Sequence, residues 1–365
     1  MSDFFDYLAW RGDLDFSASS LNDADALIFT QLVYLNFDSL LSDSFDEKMT
    51  LKELAEKFRN VVDFEKRKNL GLVINNKCVD LLFECAKTAR FGKVFVSGYV
   101  NKYNASIEEQ FSAVLFSSND FRFVSFRGTD DTIVGWKEDF NLASLEQIPA
   151  QKDALDYLKK ALRLGGKVFA GGHSKGGNLA IYAAAKLSPE EKEQINLVYN
   201  FDGPGFLRET LQQNDFKSIE KKTKSVYPQF STIGMLFHHF KNFSVVRSNQ
   251  KYIMQHDPFS WGLKATALDE KESLDKGSLH FYKTFNSWFE KLTLEKRKEF
   301  VNTFFSVLES PAARDLSELV ENWGKNSLQI VKAIASLDSG TRKSTLHTAL
   351  SIFKEAGAQL PELDA

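Results

Sequence analysis

The chain has 365 residues, 43% of them hydrophobic and 13% aromatic, with a formal net charge of -3, and so carries ample apolar material for a core. Thirty-three phenylalanines against seven prolines exclude a mainly disordered chain, and the near-balanced charge leaves no broad basic footprint for nucleic acid. The opening "MSDFFDYLAWRGDLDF" has neither a basic n-region nor an apolar h-region, and no run approaches the roughly 20 apolar residues of a membrane span, so a soluble, cytoplasmic protein is expected.

Residues 1 to about 90 read as a helical segment packed on the core. "NDADALIFTQLVYL" opens on an Asn or Asp cap and brings back Leu27, Thr30, Val33 and Tyr34 at helical spacing, while "TLKELAEKFRNVV" opens on a capping box of Thr50 and Glu53. Cys78 and Cys85 fall two helical turns apart in "KCVDLLFECAK", too distant to bridge, and read as buried core thiols. From "KVFVSGYVN" onward the pattern turns to short strands, "FSAVLFSS" and "FRFVSF" among them.

In "DALDYLKKALRLGG", Leu155, Leu158 and Leu162 share a helical face that stops at Gly165-Gly166, and a strand from Lys167 to Ala170 follows at once. After a glycine-rich turn come a small-residue helix, "NLAIYAAAKLS", and strands in "INLVYNF", "FSVVRSN" and "KYIMQ". This alternation predicts an α/β fold, a mostly parallel sheet with helices on both faces. The predicted core spans 91–290 with an apolar insertion at about 205–242. Residues 291–365 form a helical C-terminal extension built from "LEKRKEFVNTFFSVLE", "DLSELVENWGKNSLQIVKAIASL" and "STLHTALSIFKEAG".

Gly172-His173-Ser174-Lys175-Gly176 spells G-x-S-x-G between the predicted strand and the small-residue helix, the context of a nucleophile elbow. Gly172 and Gly176 remove side chains where strand and helix meet, and the turn would expose the Ser174 Oγ to a carbonyl. The oxyanion hole of such a site takes one backbone N–H from the residue after the serine and a second from a loop after an earlier strand. Lys175 supplies the first, and Thr129, in the "FRGTDD" that follows strand Phe121 to Phe126, supplies the second.

A strand ending in "FRGT" followed by a strand ending in "GHSKGG" resembles the class 3 lipases within the α/β-hydrolases. "DYLAWRGDLDF", "FRGTDDTIVGWKEDF", "GGHSKGGNLA", "NFDGPGF" and "QHDPFSW" extend the resemblance, over most of the chain, to a bacterial family of uncharacterised lipase-like proteins. The resemblance implies an α/β-hydrolase fold with a serine site and leaves the substrate open.

In that fold the triad runs Ser, then Asp or Glu, then His along the chain. Asp202 directly follows "INLVYNF", where the acid of pancreatic-type lipases resembles it in position, and His256 ends "KYIMQ". Ser174, Asp202 and His256 are therefore the first choice of nucleophile, acid and base. Asp257 with His280 is the alternative, nearer to where class 3 lipases place the acid, and whichever pair loses takes a structural role such as Asp257 capping the turn into "PFSW". His173, inside the elbow, reads as a packing residue, as does His347 in the late helix.

The Lys175 ammonium is expected to pair with Asp130, Asp131 or Glu138, and Arg127 to join a structural ion pair. Phe230, Met235 and Phe237, in the apolar insertion, are candidates for a lid or acyl pocket set against the more ordinary reading as core. His238 and His239 lack the companion ligands of a metal site. The expectation is a serine esterase acting without metal or cofactor on a small ester or a lipid, with peripheral membrane contact left open. Its alternative is an inactive hydrolase-fold protein that binds a ligand or partner.

Overall fold

In the computed structural model, which describes residues 1–142, 145–309 and 315, the chain is organised by a nine-stranded sheet. Its strands are β1 (Met49–Thr50), β2 (Phe95–Asn104), β3 (Glu109–Ser117), β4 (Arg122–Phe126), β5 (Val168–His173), β6 (Ile195–Phe201), β7 (Thr223–Pro228), β8 (Phe243–Val246) and β11 (Glu270–Lys271), with a small hairpin of β9 (Leu263–Lys264) and β10 (Ala267–Leu268) beside it. Neighbours in the sheet run β1-β2-β3-β4-β5-β6-β7-β8-β11. The centre, β4 to β8, is parallel, and antiparallel strands close both edges. Such mixed sheets are common where helices cover both faces.

The two faces are read directly from strand alternation. Along β3, Val114 and Phe116 belong to one core and Ala113 and Leu115 to the other; along β4, Phe123 and Val124 divide in the same way. Helices α1 (Phe4–Arg11), α2 (Asp23–Leu32), α3 (Leu51–Arg59), α4 (Phe64–Lys68) and α5 (Lys77–Lys87) make up the predicted N-terminal segment, and the apolar residues of α1, α2, α3 and α5 cover the first face. The capping box of Thr50 and Glu53 forms as expected, and Cys78 and Cys85 are free, buried thiols. A fully buried pair, Arg90 and Asp25 at 2.5 Å, ties this layer together, with the Tyr7 hydroxyl donating to the same carboxylate at 2.7 Å.

After β4 come α6 (Ile133–Asn141) and α7 (Pro149–Leu162), and after β5 comes α8 (Lys175–Ala185). Residues of α7 and α8 form the second core with Phe111, Val124, Phe126, Ala170 and Val198. Short helices α9 (Pro189–Glu193), α10 (Arg208–Leu211) and α11 (Asn214–Ile219) lie on either side of β6, and α12 (Lys276–Glu290) and α13 (Leu294–Glu309) follow the sheet. The parallel centre, the helices on both faces and the serine turn after β5 together form an α/β-hydrolase fold. Among the described residues no helix is long and apolar enough to cross a membrane.

Three elements differ from expectation. "KYIMQ" is not a strand: Tyr252–His256 is a 3-10 turn, with Tyr252 at φ 50° and the apolar side chains of Tyr252 and Met254 exposed, so its alternation points to solvent rather than to a core. The stretch 205–242 holds α10, α11 and the central strand β7, whose lysine and terminal proline hide it from a strand pattern although Ser225 to Pro228 are buried. Of the C-terminal extension, α13 is observed; the two later helices expected there, with His347, lie outside the described residues.

Candidate active site

β5 ends in the elbow. Ser174 takes φ 57° and ψ -134°, a conformation costing on the order of 1–3 kcal/mol in a non-glycine residue, and its N–H donates to the Phe201 carbonyl on β6 at 2.9 Å. The turn is sharp enough that a Cβ on Gly172 would lie 2.2 Å from the Gly176 carbonyl carbon, and one on Gly176 would lie 2.1 Å from the Phe126 carbonyl oxygen. Only glycine fits either position. The loop after β4 presses on the same turn, since a Cβ on Gly128 would meet the Ser174 Cβ at 3.0 Å. Ser174 is 8% exposed.

Asp202, at the carboxyl end of β6, is fully buried, has φ 50°, and accepts from His256 Nδ1 at 2.6 Å. A carboxylate only accepts, so Nδ1 carries the proton and Nε2 is left as the basic nitrogen. The other carboxylate oxygen accepts from the Ser231 hydroxyl at 2.5 Å, and Gly234 leaves it room: a Cβ there would come within 2.4 Å. His173 completes the arrangement. Its Nε2 is 2.8 Å from the His256 carbonyl oxygen, its Nδ1 is 3.1 Å from the Tyr34 hydroxyl, and the two imidazole rings lie 4.5 Å apart. Among the described residues no hydrogen bond joins the Ser174 hydroxyl to His256, a contact that in serine sites tightens once substrate is bound.

Lys175 opens α8, where the first backbone N–H groups have no partner inside the helix. Its ammonium is buried on Glu138 Oε2 at 2.7 Å, the partner chosen among the three carboxylates expected. Thr129 is buried, and its hydroxyl donates to Asp139 Oδ2. Burial pushes the Asp139 carboxyl up to about 7, against the Lys175 ammonium and the Thr129 hydroxyl, which hold it down. Arg127 bridges Asn101 at 3.1 Å and Asp130 at 3.2 Å, the structural pair anticipated for it.

The alternative acid and base are occupied differently. Asp257 accepts from Asn75 Nδ2 at 2.7 Å and caps the turn into "PFSW" through the Phe259 N–H at 3.0 Å; burial raises its carboxyl above the usual range. His280 is exposed on α12. Met235 and Phe237 are buried, Met235 with Tyr227, Val245 and Leu274, and Phe237 against Phe285 and Phe289 of α12. Phe230 is half-buried beside the turn that carries His256: its N–H donates to Gln255 at 2.8 Å and its ring meets Tyr252. His238 pairs with Glu290 at 2.8 Å, and burial lowers His239 to about 4. Among the described residues no cluster of three or more His, Cys, Asp or Glu could hold a metal.

Sequence reasoning missed Ser231, Tyr34 and Asp139, and missed that His173 holds the backbone of His256. Tyr34 and Ser231 act from distant segments, and no spacing rule connects either to the elbow. Asp139 had a faint signal, as the second of two acids ten residues beyond Thr129.

The Mbeg1-like family model matches residues 85–306, more than half of the chain. No curated protein matches the sequence. Among solved structures the chain is similar to one described as "Crystal structure of M37 lipase", at 14% identity over 59% of this chain and 70% of that one, with a TM-score of 0.37. By the extent of that match the chain belongs to the Mbeg1-like family, and its elbow and parallel sheet centre give it the α/β-hydrolase fold.

Proposed function

We propose that the protein is a serine hydrolase of carboxylic esters, with a small ester or a lipid as substrate, working through an acyl-enzyme. Ser174 Oγ attacks the carbonyl carbon while His256 Nε2 takes its proton. Asp202 holds the imidazole by Nδ1 and stabilises the imidazolium. The oxyanion is received by the backbone N–H groups of Lys175 and Thr129. Collapse expels the alcohol, which takes the proton from His256; water, deprotonated by the same nitrogen, then releases the acid and restores Ser174. Each proton passes through His256, and no cofactor enters the scheme. Phe230, beside the loop of the base, is the apolar side chain assigned to the substrate; Met235 and Phe237 serve packing.

The observation that carries this reading is the 2.6 Å contact of His256 with the buried Asp202 beside the serine elbow, while Asp257 is spent on Asn75 and on its own turn. The test is labelling of the purified protein with a fluorophosphonate probe. Wild type is expected to label and Ser174→Ala not at all, with Asp202→Asn and His256→Ala slower by on the order of 10³–10⁴. Asp257→Asn and His280→Ala are expected to label at near the wild-type rate. A folded wild type that never labels would replace this reading with that of an inactive ligand-binding relative.

A further inference from the structure

Helix α6 carries two consecutive carboxylates, and each grips one of the two residues assigned to the oxyanion hole. Glu138 Oε2 takes the Lys175 ammonium at 2.7 Å, and Asp139 Oδ2 takes the Thr129 hydroxyl. Neighbouring residues on a helix point about 100° apart, so one helix reaches both the start of α8 and the loop after β4. The grip on the elbow side is fully engaged. Lys175 Nζ also donates to the Gln110 carbonyl at 2.8 Å and its amide oxygen at 2.7 Å, which uses its three hydrogens. Glu138 in turn accepts the Gln110 N–H at 3.2 Å and, on its other oxygen, the Ala150 N–H at 3.0 Å.

Both members of the Lys175–Glu138 pair are 0% exposed. A buried ion pair is a weak source of stability, because desolvation offsets much of its attraction and apolar residues of like volume often do as well. Asp139 is equally costly, with Oδ1 buried and without a partner. Two carboxyl groups placed in the interior at adjacent positions, each bonded to a different residue assigned to the oxyanion hole, have a common use in geometry. Donors to an oxyanion must stand about 2.7–3.1 Å from where the oxygen will be, and a misplacement of about 1 Å can lower a rate on the order of 10²-fold.

We propose that Glu138 and Asp139 act together as positioning residues, setting the separation of the Lys175 and Thr129 N–H groups that receive the oxyanion. This rests on Ser174 being the nucleophile. Neither carboxylate touches substrate; each acts through the residue it holds.

The test uses the full chain, p-nitrophenyl butyrate as substrate and a trifluoromethyl ketone as an inhibitor that forms the tetrahedral oxyanion on the serine. Glu138→Gln and Asp139→Asn are each expected to lower kcat about 10–100-fold with little change in KM, and to weaken the ketone in parallel with kcat/KM. A merely structural role would lower the melting temperature or the active fraction without that parallel. Lys175→Met combined with Glu138→Gln removes the buried pair at nearly constant volume; it is expected to fold and still lose kcat. Folded variants with wild-type kcat and ketone affinity overturn the proposal, as does a double variant that unfolds while Asp139→Asn remains folded and unimpaired. If wild type neither hydrolyses the ester nor labels at Ser174, it is the hydrolase reading that fails first.

Discussion

His173 has both ring nitrogens committed: Nε2 gives its hydrogen to the His256 carbonyl, so Nδ1 accepts from the Tyr34 hydroxyl. Burial, with His256 close by, pushes its pKa well below the ordinary value. On unfolding, the imidazole takes a proton below about pH 6.5, while in the fold it stays neutral. The stability tied to this residue is therefore complete above that pH and is lost as pH falls. Thermal melts should show His173→Gln, less stable than wild type at pH 7, losing less than wild type on going to pH 5. Tyr34→Phe leaves Nδ1 buried without a donor and is expected to cost about 1–3 kcal/mol in denaturant unfolding. Asp139 has the opposite sign. Its carboxyl stands at about 7, raised by burial and by Glu138 and opposed by Lys175, Thr129 and His256, whereas unfolded it ionises near 3.9. Between those values the fold keeps a proton that the unfolded chain has released, so this residue lowers stability as pH rises and its effect levels off above about 7. Melts of Asp139→Asn should gain on wild type across that window, and a gap that narrows instead would contradict the burial of an uncompensated carboxylate.

At the scale of elements, what could be read in advance was local. Leu155, Leu158 and Leu162, the glycines that follow, and the small residues of α8 each declare a helix, a stop or a close approach within a few positions. The elbow is legible for the same reason, because Gly172 and Gly176 are demanded by backbone contacts within the motif and with its neighbour β4. Gly176→Ala, which forces a methyl against the Phe126 carbonyl, is expected to cost about 1–3 kcal/mol and to slow fluorophosphonate labelling by shifting the serine. Elements defined by distant partners were illegible. β7 is a strand because β6 and β8 flank it, and its own Lys224 and Pro228 argue against one. Tyr252–His256 has a strand-like alternation that no core receives. Asp202 and His256 could be put forward by chain order, but what separates their surroundings from those of Asp257 and His280 is the placement of Ser231 and Asn75, which sequence spacing does not bring near.

At the scale of the molecule, segments remote in sequence converge on α6. Helix α13 packs along it, with Phe305 edge-on to Phe140 at 5.4 Å, and Asp315 pairs by backbone with Thr132 at its start. Phe305 is fully buried, so Phe305→Ala is expected to cost about 3–5 kcal/mol and, by loosening α6, to speed hydrogen exchange along that helix and lower ester turnover together. Unchanged exchange in α6 would separate the tail from the site. The N-terminal layer reaches inward as well, through Tyr34 and Asn75. Residues 173 and 174 are covalent neighbours, and the ring of the first clasps the main chain of the loop bearing His256. Ser174 and His256, the proposed nucleophile and base, are thus moored to a single post: a motion that lifts the end of β5 should tow the imidazole with it, so that their mutual reach survives breathing that would part residues anchored on separate strands.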